Sequence, residues 1–556
     1  MVLDYKDVLV SARNRQIRRH RRVVMLAVLG AALLALAFFV LINADSRRLK
    51  RIEDELLQER LADAENDLRQ LKSSWFHPTA KRELRALQDL FQRHLSQGEA
   101  ELKGIKPRDI PVSVSHGRFL EYFANHGLYR ELSIYSAYLL GAGNDSARWY
   151  HALALMALLD FRAATAALNQ LSPAFQAEYQ KPIRILTAIG RELEKGRLDY
   201  IFSRRGQPLA GYDLKTGRTL SLVPGIDFTP FTESLRQGIR FFTLTLDVDI
   251  QQAVHRLLKN RRGSLLMLDL DDGSIRVAYS PAGGNAVFDQ LYEPGSIIKI
   301  VTLLAYLRSR QKPLFPFHCP GWMTINGRFF YDALKHGDVA NDQQALAVSC
   351  NLSFARMGLA LGFPAMSDLL KRFFFNSPGF TDQGIFFRTG QFADIGGDAY
   401  RLANLVIGLK EIEISTFHAA LIAALFAQKG TTREPFLIDS IKNVLHLGYY
   451  NHRQRRLEVI SDDLSMMHVQ RAMAGVVEDE AGTGRRARVD FVQTAVKTGT
   501  SGRKDLGLDA VIVGYFPVEK PKYALAFRLE GVGRAEFQGA AFLRDFLEVI
   551  YNHHDD

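Results

Sequence analysis

The amino-acid sequence predicts an α+β protein: a mainly antiparallel sheet with flanking helices and a helical subdomain, preceded by an all-α region and one transmembrane helix. Three observations predict it. An unbroken run of 20 apolar or small residues, Val23 to Ile42, directly follows a cluster of arginines. Residues 45–197 are rich in Ala, Leu, Glu and Arg at helical spacings. From Asp199 onward, short β-branched and aromatic runs separated by Gly-containing turns take over, and beyond Phe241 they alternate with helical segments.

The 556 residues are 47% hydrophobic and include two Cys. At about 100–200 residues per domain they leave room for three to five units, and they exclude a disordered chain, collagen and a disulfide scaffold. The net charge is +11, but five of those charges sit in residues 1–22, where Lys6, Arg13, Arg15, Arg18, Arg19, Arg21 and Arg22 outweigh Asp4 and Asp7. A nucleic-acid domain concentrates positive charge on a folded face. Here it lies in a tail, so nucleic acid is not an expected partner.

That tail suits a membrane anchor. Twenty helical residues span about 30 Å, the thickness of a bilayer core, and the arginines before them orient the N-terminus to the cytoplasm. A cleavable signal peptide is the rival, since Ile42-Asn43-Ala44 loosely resembles a cleavage site. Its apolar core is usually about 7–15 residues, which favours a retained anchor. Residues 1–22 are thus a cytoplasmic basic tail, residues 23–43 the anchor, and the rest lies outside the cytoplasm.

Residues 45–110 read as a helical stalk or linker. Leu57, Leu61, Ala64, Leu68 and Leu71 recur at alternating spacings of four and three, either a short coiled-coil seam or one face of a solvated helix. Residues 111–197 form an α-helical domain in which Gly127-Leu128-Tyr129 with Leu132 reappears, 32 positions on, as Leu159-Asp160-Phe161 with Ala164. The spacing resembles degenerate tetratricopeptide repeats, with an ordinary helical bundle as the alternative. Residues 198–240 read as a short β-rich connecting segment, and 241–556 as the catalytic domain. No Gly-rich phosphate loop follows a strand and opens a helix, which argues against a nucleotide enzyme.

Three motifs carry chemistry. In Glu293-Pro294-Gly295-Ser296-Ile297-Ile298-Lys299, Pro and Gly forbid helix before Ser296, and Ile297 to Arg310 reads as one amphipathic helix. Ser296 then sits at a helix N-terminus, which favours developing negative charge. Lys299, one turn on, can serve as base for the hydroxyl once desolvated. The same Ser-x-x-Lys spelling at Ser309–Lys312 and Ser501–Lys504 lacks that turn-then-helix context. Ser349-Cys350-Asn351 offers a hydroxyl to relay a proton and a carboxamide to hold a substrate amide. Lys497-Thr498-Gly499-Thr500 follows an apolar–polar run on an expected edge strand, whereas Lys215-Thr216-Gly217 reads as a polar turn.

Order and spacing make the set specific. Ser296 and Ser349 are 53 residues apart, and Lys497 lies 148 beyond Ser349. The set resembles that of penicillin-binding proteins and serine β-lactamases. The resemblance extends over about residues 199–556, through Leu244-Thr245-Leu246-Asp247 with Gln251, Leu266-Met267-Leu268-Asp269, Cys319-Pro320-Gly321, His336-Gly337, Gly408, Ser415, Gly430, Pro435 and Gly482-Thr483-Gly484. It implies the penicillin-binding transpeptidase fold and acyl transfer. Ser296 would be the acylated nucleophile, Lys299 its base, Ser349 the proton relay, Asn351 a donor-peptide contact and Lys497 the relay's electrostatic support. Thr498 and Thr500, flanking Gly499, would bind the substrate carboxylate, and the backbone N–H groups of Ser296 and Thr500 would form the oxyanion hole.

The implied function is a class B-like, monofunctional peptidoglycan D,D-transpeptidase covalently inhibited by β-lactams. The implied place is the bacterial inner membrane, with the helical region free to dock envelope proteins. A D,D-carboxypeptidase or β-lactamase, in which water replaces the acceptor amine, and a β-lactam sensor or scaffold are the rivals. No cofactor and no metal is assigned. Cys319 and Cys350 admit a disulfide, although Cys350, wedged between two cleft residues, points into the fold. His336 reads as structural, and His553-His554-Asp555-Asp556 as a frayed tail.

Overall fold

The computed structural model describes residues 25, 27–37, 44–71, 78–258, 261–281, 285–309, 311–460, 463–503 and 507–552. The chain divides into two compact units, residues 1–194 with 236–239, and residues 195–235 with 240–556.

The first unit is helical. The basic tail 1–22 lies outside the described residues, as do both ends of the expected span. What remains of that span, Met25 and residues 27–37, is helical, with Leu33 and Leu34 exposed. No helix among the described residues is long and apolar enough to cross a membrane.

The expected stalk does not stand free. Its helix breaks at Glu59, where φ is +56°, and resumes as Leu61–Gln70. Ala64, Leu68 and Leu71 are buried within this chain, beside the helix Pro78–Phe91. The seven-residue spacing is therefore used on intrachain packing rather than on a solvated face or a seam between copies. Glu83, fully buried on that second helix, accepts hydrogen bonds from the hydroxyls of Tyr135 (2.6 Å) and Tyr138 (3.0 Å), tying it to a later helix.

The 32-residue echo falls on two helix pairs, His116–Asn125 with Tyr129–Leu139 and Asp145–Ala157 with Phe161–Asn169. Both turns use one left-handed residue at the repeated position, Gly127 at φ +68° and Leu159 at φ +69°. The second pair starts on side-chain caps: Asn144 accepts from Ser146 N and Asp160 from Ala163 N.

Among the described residues, the second unit holds two large sheets and several two-stranded ribbons. One has five strands in the order Ala495–Arg503, Gly507–Phe516, Tyr523–Leu529, Gly263–Asp269, Ile275–Tyr279, every neighbour antiparallel. Thr416–Ala427, a helix apolar all round and buried at every residue, packs against it. Ser264 Oγ and Thr416 Oγ1 meet at 2.6 Å across that contact. Phe527 of the sheet meets Phe542 of the last helix, Ala540–Asn552, edge-on at 4.9 Å. This sheet leaves Ala495–Arg503 on its edge, the strand that carries the Lys-Thr-Gly-Thr sequence.

The other sheet runs Gly448–Asn451, Ile438–Lys442, Phe241–Leu244, Arg197–Ser203, Pro208–Asp213, Arg218–Ser221, with Arg197–Ser203 parallel to Phe241–Leu244. The short strands between 197 and 221 thus share hydrogen bonds with the C-terminal unit instead of forming a separate connector. Lys215-Thr216-Gly217 is a turn capped by Asp213 Oδ1, remote from the edge strand.

Candidate active site

The turn carrying Ser296 depends on three glycines. Gly295 has φ +58°, and a Cβ there would lie 2.7 Å from the Thr500 carbonyl oxygen. A Cβ on Gly499 would lie 2.6 Å from the Pro294 oxygen. Gly408, at φ +85°, accepts the Gly295 N–H at 2.9 Å, and its Cβ would come within 1.8 Å of the Gly295 oxygen. Only residues without side chains let these backbones cross so closely. From that crossing a short 3-10 turn, Gly295–Ile298, leads into the helix Lys299–Arg308. Ser296 is half-buried at the helix start, facing a cleft of about 760 Å³.

The crossing gives a direct expectation for Gly408→Ala. The added methyl meets a backbone carbonyl at a φ that alanine adopts with a strain of roughly 1–3 kcal/mol. Acylation of Ser296 should slow at least about ten-fold, with a lower melting temperature. Unchanged labelling kinetics would show that the turn absorbs the methyl without moving the serine.

Lys299 is fully buried. Its Nζ donates to the Ser349 carbonyl (2.7 Å), Ser349 Oγ (3.3 Å) and Asn351 Oδ1 (2.7 Å). Burial pulls its pKa down to about 8 from the ordinary 10.5, against a smaller opposing pull from Asp332. Lys497, also fully buried, donates to Ser349 Oγ (2.9 Å) and to the Thr498 carbonyl (2.9 Å). Burial and then the neighbouring Lys299 charge depress it well below its ordinary value. The Lys299 charge thus opposes a second ammonium beside the same hydroxyl.

Ser349 reaches both lysines because the backbone turns sharply there. It has φ +57°, between the helices Asp342–Ala347 and Asn351–Leu361. That left-handed conformation, uncommon for a residue other than glycine, turns both its carbonyl and its hydroxyl toward Lys299. Asn351 opens the following helix, accepts the Lys299 bond at its Oδ1 and lines the cleft. On the edge strand Thr498 and Thr500 line the cleft with Ser296. Thr498 Oγ1 meets Thr483 Oγ1 at 2.6 Å, and Thr500 Oγ1 accepts the Ala535 N–H at 3.1 Å. Gly499 lies between them under Pro294. The eight residues singled out from the sequence therefore meet in one place, drawn from three separate segments.

Residues 263–548 match the penicillin binding protein transpeptidase domain. The chain belongs to the penicillin-binding protein transpeptidase family. Among curated relatives, the peptidoglycan D,D-transpeptidase PbpA of Mycolicibacterium smegmatis is 24% identical over 263 residues, 45% of this chain and 52% of that protein. The peptidoglycan D,D-transpeptidase MrdA of Acinetobacter baumannii is 23% identical over 344 residues, 51% of this chain and 50% of that protein. The chain thus spans about half the length of the curated relatives it matches.

The fold is shared with solved structures. The D,D-transpeptidase domain of a peptidoglycan glycosyltransferase from Eggerthella lenta superposes with a TM-score of 0.58 at 21% identity, covering 65% of this chain and 99% of that one. The penicillin G acyl-enzyme complex of penicillin-binding protein A from M. tuberculosis gives 0.56 at 18%, covering 64% and 99%.

Directly beneath the second motif of this transpeptidase-family site lies a group that the sequence reading passed over. The ligating atoms of Cys319, Asp332, His336 and Cys350 all lie within 4.8 Å of one another. Both cysteines are buried and free, so the disulfide considered from the sequence is not formed. Asp332 Oδ2 accepts from Cys350 Sγ (3.2 Å) and from the Leu352 N–H (3.2 Å), and lies 3.5 Å from His336 Nδ1.

Burial alone would raise the Asp332 carboxyl, but His336 and Lys299 hold it far below the usual range. The Asp332 carboxylate in turn raises His336 to about 11. Two thiols, an imidazole and a carboxylate form the donor set that a tetrahedral zinc-type ion takes. The signal was present in the sequence as Cys319, Asp332, His336 and Cys350 within 32 residues, with Asp332 and His336 one helical turn apart in number.

Proposed function

We propose that this chain is a monofunctional, class B-like peptidoglycan D,D-transpeptidase that cross-links stem peptides through an acyl-serine. One observation carries the reading. Lys299, desolvated and drawn down to about 8, lies one turn from Ser296 and is hydrogen-bonded to Ser349 and Asn351. Neutral Lys299 takes the Ser296 proton as Oγ attacks the carbonyl of the penultimate D-Ala of a donor stem peptide. The developing oxyanion faces the N–H groups of Ser296 and Thr500, where one lost donor typically costs about 10²–10³ in rate. Collapse breaks the peptide bond, and the proton passes through Ser349 to the departing D-Ala amine. An acceptor amine then attacks the ester, and the proton returns to Ser296. A β-lactam enters the same sequence and stops at the ester.

The acceptor separates this reading from a hydrolase. Incubation with a stem pentapeptide and an amine-bearing acceptor peptide should give mainly the cross-linked product by mass spectrometry. Tetrapeptide alone, at saturating acceptor, would move the assignment to a D,D-carboxypeptidase.

Residues 23–43 serve as a single-pass anchor with the N-terminus in the cytoplasm, which places the catalytic unit outside it. Support comes from the arginine-flanked apolar run and from the exposure of Leu33 and Leu34. The two helix pairs in 32-residue register support a tetratricopeptide-like unit that docks other envelope proteins.

Cys319, Asp332, His336 and Cys350 would hold a zinc-type divalent ion. Bound there, it would act structurally, fixing Cys350 and so the Ser349 and Asn351 that flank it. Native mass spectrometry of protein exposed to zinc should find one ion per chain, lost in Asp332→Asn, and chelation should lower the melting temperature. Retention of zinc by Asp332→Asn, or no zinc on the native chain, would remove the ion from this account.

A further inference from the structure

Between Cys319 and Asp332 the chain forms an isolated hairpin, Trp322–Ile325 with Arg328–Tyr331. Its register pairs Trp322 with Tyr331 and Thr324 with Phe329, so these four side chains share one face. Ile325 and Phe330 take the other face and are buried. On the outer face Trp322, Phe329 and Tyr331 remain 49%, 55% and 64% exposed.

This face is held in place. The Arg328 guanidinium lies 3.8 Å from the centre of the Tyr400 ring, and the Tyr400 hydroxyl donates to the Phe329 carbonyl at 3.2 Å. The outer rings also contact one another, Trp322 to Phe329 at 5.3 Å and Phe329 to Tyr331 at 6.0 Å. Three clustered aromatics left in water form the kind of patch that marks a binding surface.

Continuity identifies the occupant. Tyr331 lines the same cleft as Ser296 and also ends the aromatic face, so the face opens directly from the wall of the catalytic cleft. A stem peptide seated against Ser296 is carried on a sugar chain, and that chain must leave the cleft along one of its walls. Sugar rings present C–H faces that pack on aromatic rings and hydroxyl edges that bond to a polar rim. Thr324 and the Tyr331 hydroxyl supply such a rim, and no carboxylate stands among the four outward side chains to oppose it.

We propose that the outer face of this hairpin is a carbohydrate platform that binds the glycan strand of the peptidoglycan substrate. The proposal rests on the transpeptidase reading of the cleft and names where the substrate's polysaccharide lies. The rings are pre-positioned, so binding costs little ordering entropy, and each ring can cover a large apolar area.

The test uses peptidoglycan glycan chains from which an amidase has removed the stem peptides, so binding requires no acylation chemistry. Binding is measured by the fluorescence of Trp322 and by co-sedimentation with insoluble, peptide-free glycan. The whole chain has three Trp, and Trp322→Phe assigns the signal. The double variant Trp322→Ala/Phe329→Ala should lose at least about ten-fold in glycan affinity while its penicillin labelling stays within two-fold. Phe329→Tyr, which keeps the ring, should bind as the native chain does.

Equal glycan binding by the native chain and the double variant would overturn the proposal, as would no binding by the native chain. Capture of a protein partner by the same face, without glycan binding, would overturn it equally. Glycan binding in a protein that penicillin never labels would sink the transpeptidase reading and leave the platform standing.

Discussion

Ser296→Ala should abolish covalent labelling by a fluorescent penicillin, with the one-to-one adduct seen by intact mass on the native chain disappearing altogether. The change removes one oxygen from a half-buried side chain at a helix start, so the fold should survive within about 1 kcal/mol. The effect on chemistry is total because no other hydroxyl takes the serine's place. Ser349 Oγ accepts from both lysines, and Thr500 Oγ1 accepts the Ala535 N–H. The lifetime of the native adduct carries a second result. A stable adduct agrees with transpeptidation, whereas one that vanishes within minutes would place the chain among the hydrolases. Labelling that persists in Ser296→Ala would show that the nucleophile has been misassigned.

Replacing the base should cost nearly as much. Lys299→Met keeps the length and apolar stem of the side chain, removes the amine, and should slow acylation by about 10²–10⁴, the usual contribution of a positioned base. Stability should hold or rise, because a buried ammonium is replaced by a thioether that needs no hydrogen bonds. In the native chain the pKa of about 8 sets the pH dependence. Only the neutral amine accepts the serine proton, so the acylation rate should climb about five-fold from pH 7 to pH 8 and level off above about 9.

Stability moves with pH in the same direction. The folded pKa is lower than the unfolded 10.5, so between about pH 8 and 10.5 the unfolded chain holds the extra proton, and raising the pH favours the fold. A flat pH–rate profile between 6 and 9 would remove Lys299 from the role of base, whatever the effect of its replacement.

The candidate site residues were legible because each is announced by its neighbours along the chain. Pro294-Gly295 forces a turn ahead of Ser296, the helix repeat places Lys299 one turn later, and the period of two on a strand sets Thr498 and Thr500 on one side. The hairpin Gly263–Asp269 with Ile275–Tyr279 closes at Asp271-Asp272-Gly273, residues that favour such a reversal. The stalk was misread for a physical reason. A seven-residue apolar spacing says only that a helix has an apolar stripe, and the helix Pro78–Phe91 of the same chain covers that stripe here.

The sequence by itself determined the kind of chemistry proposed, since the residues offered as nucleophile, base, relay and carboxylate contacts are each marked by residue type and local backbone. The tertiary structure decided how those groups are tuned. The Lys299 amine is drawn down toward neutral pH only because residues 50 positions and more away bury it and bind it, and burial depends on the whole fold. The same holds for Gly408, whose backbone comes from a distant segment to cross Gly295 beside Ser296, and for Cys319, Asp332, His336 and Cys350. Local propensity acts over a few residues, whereas desolvation, close backbone crossing and a donor cluster arise where distant segments meet.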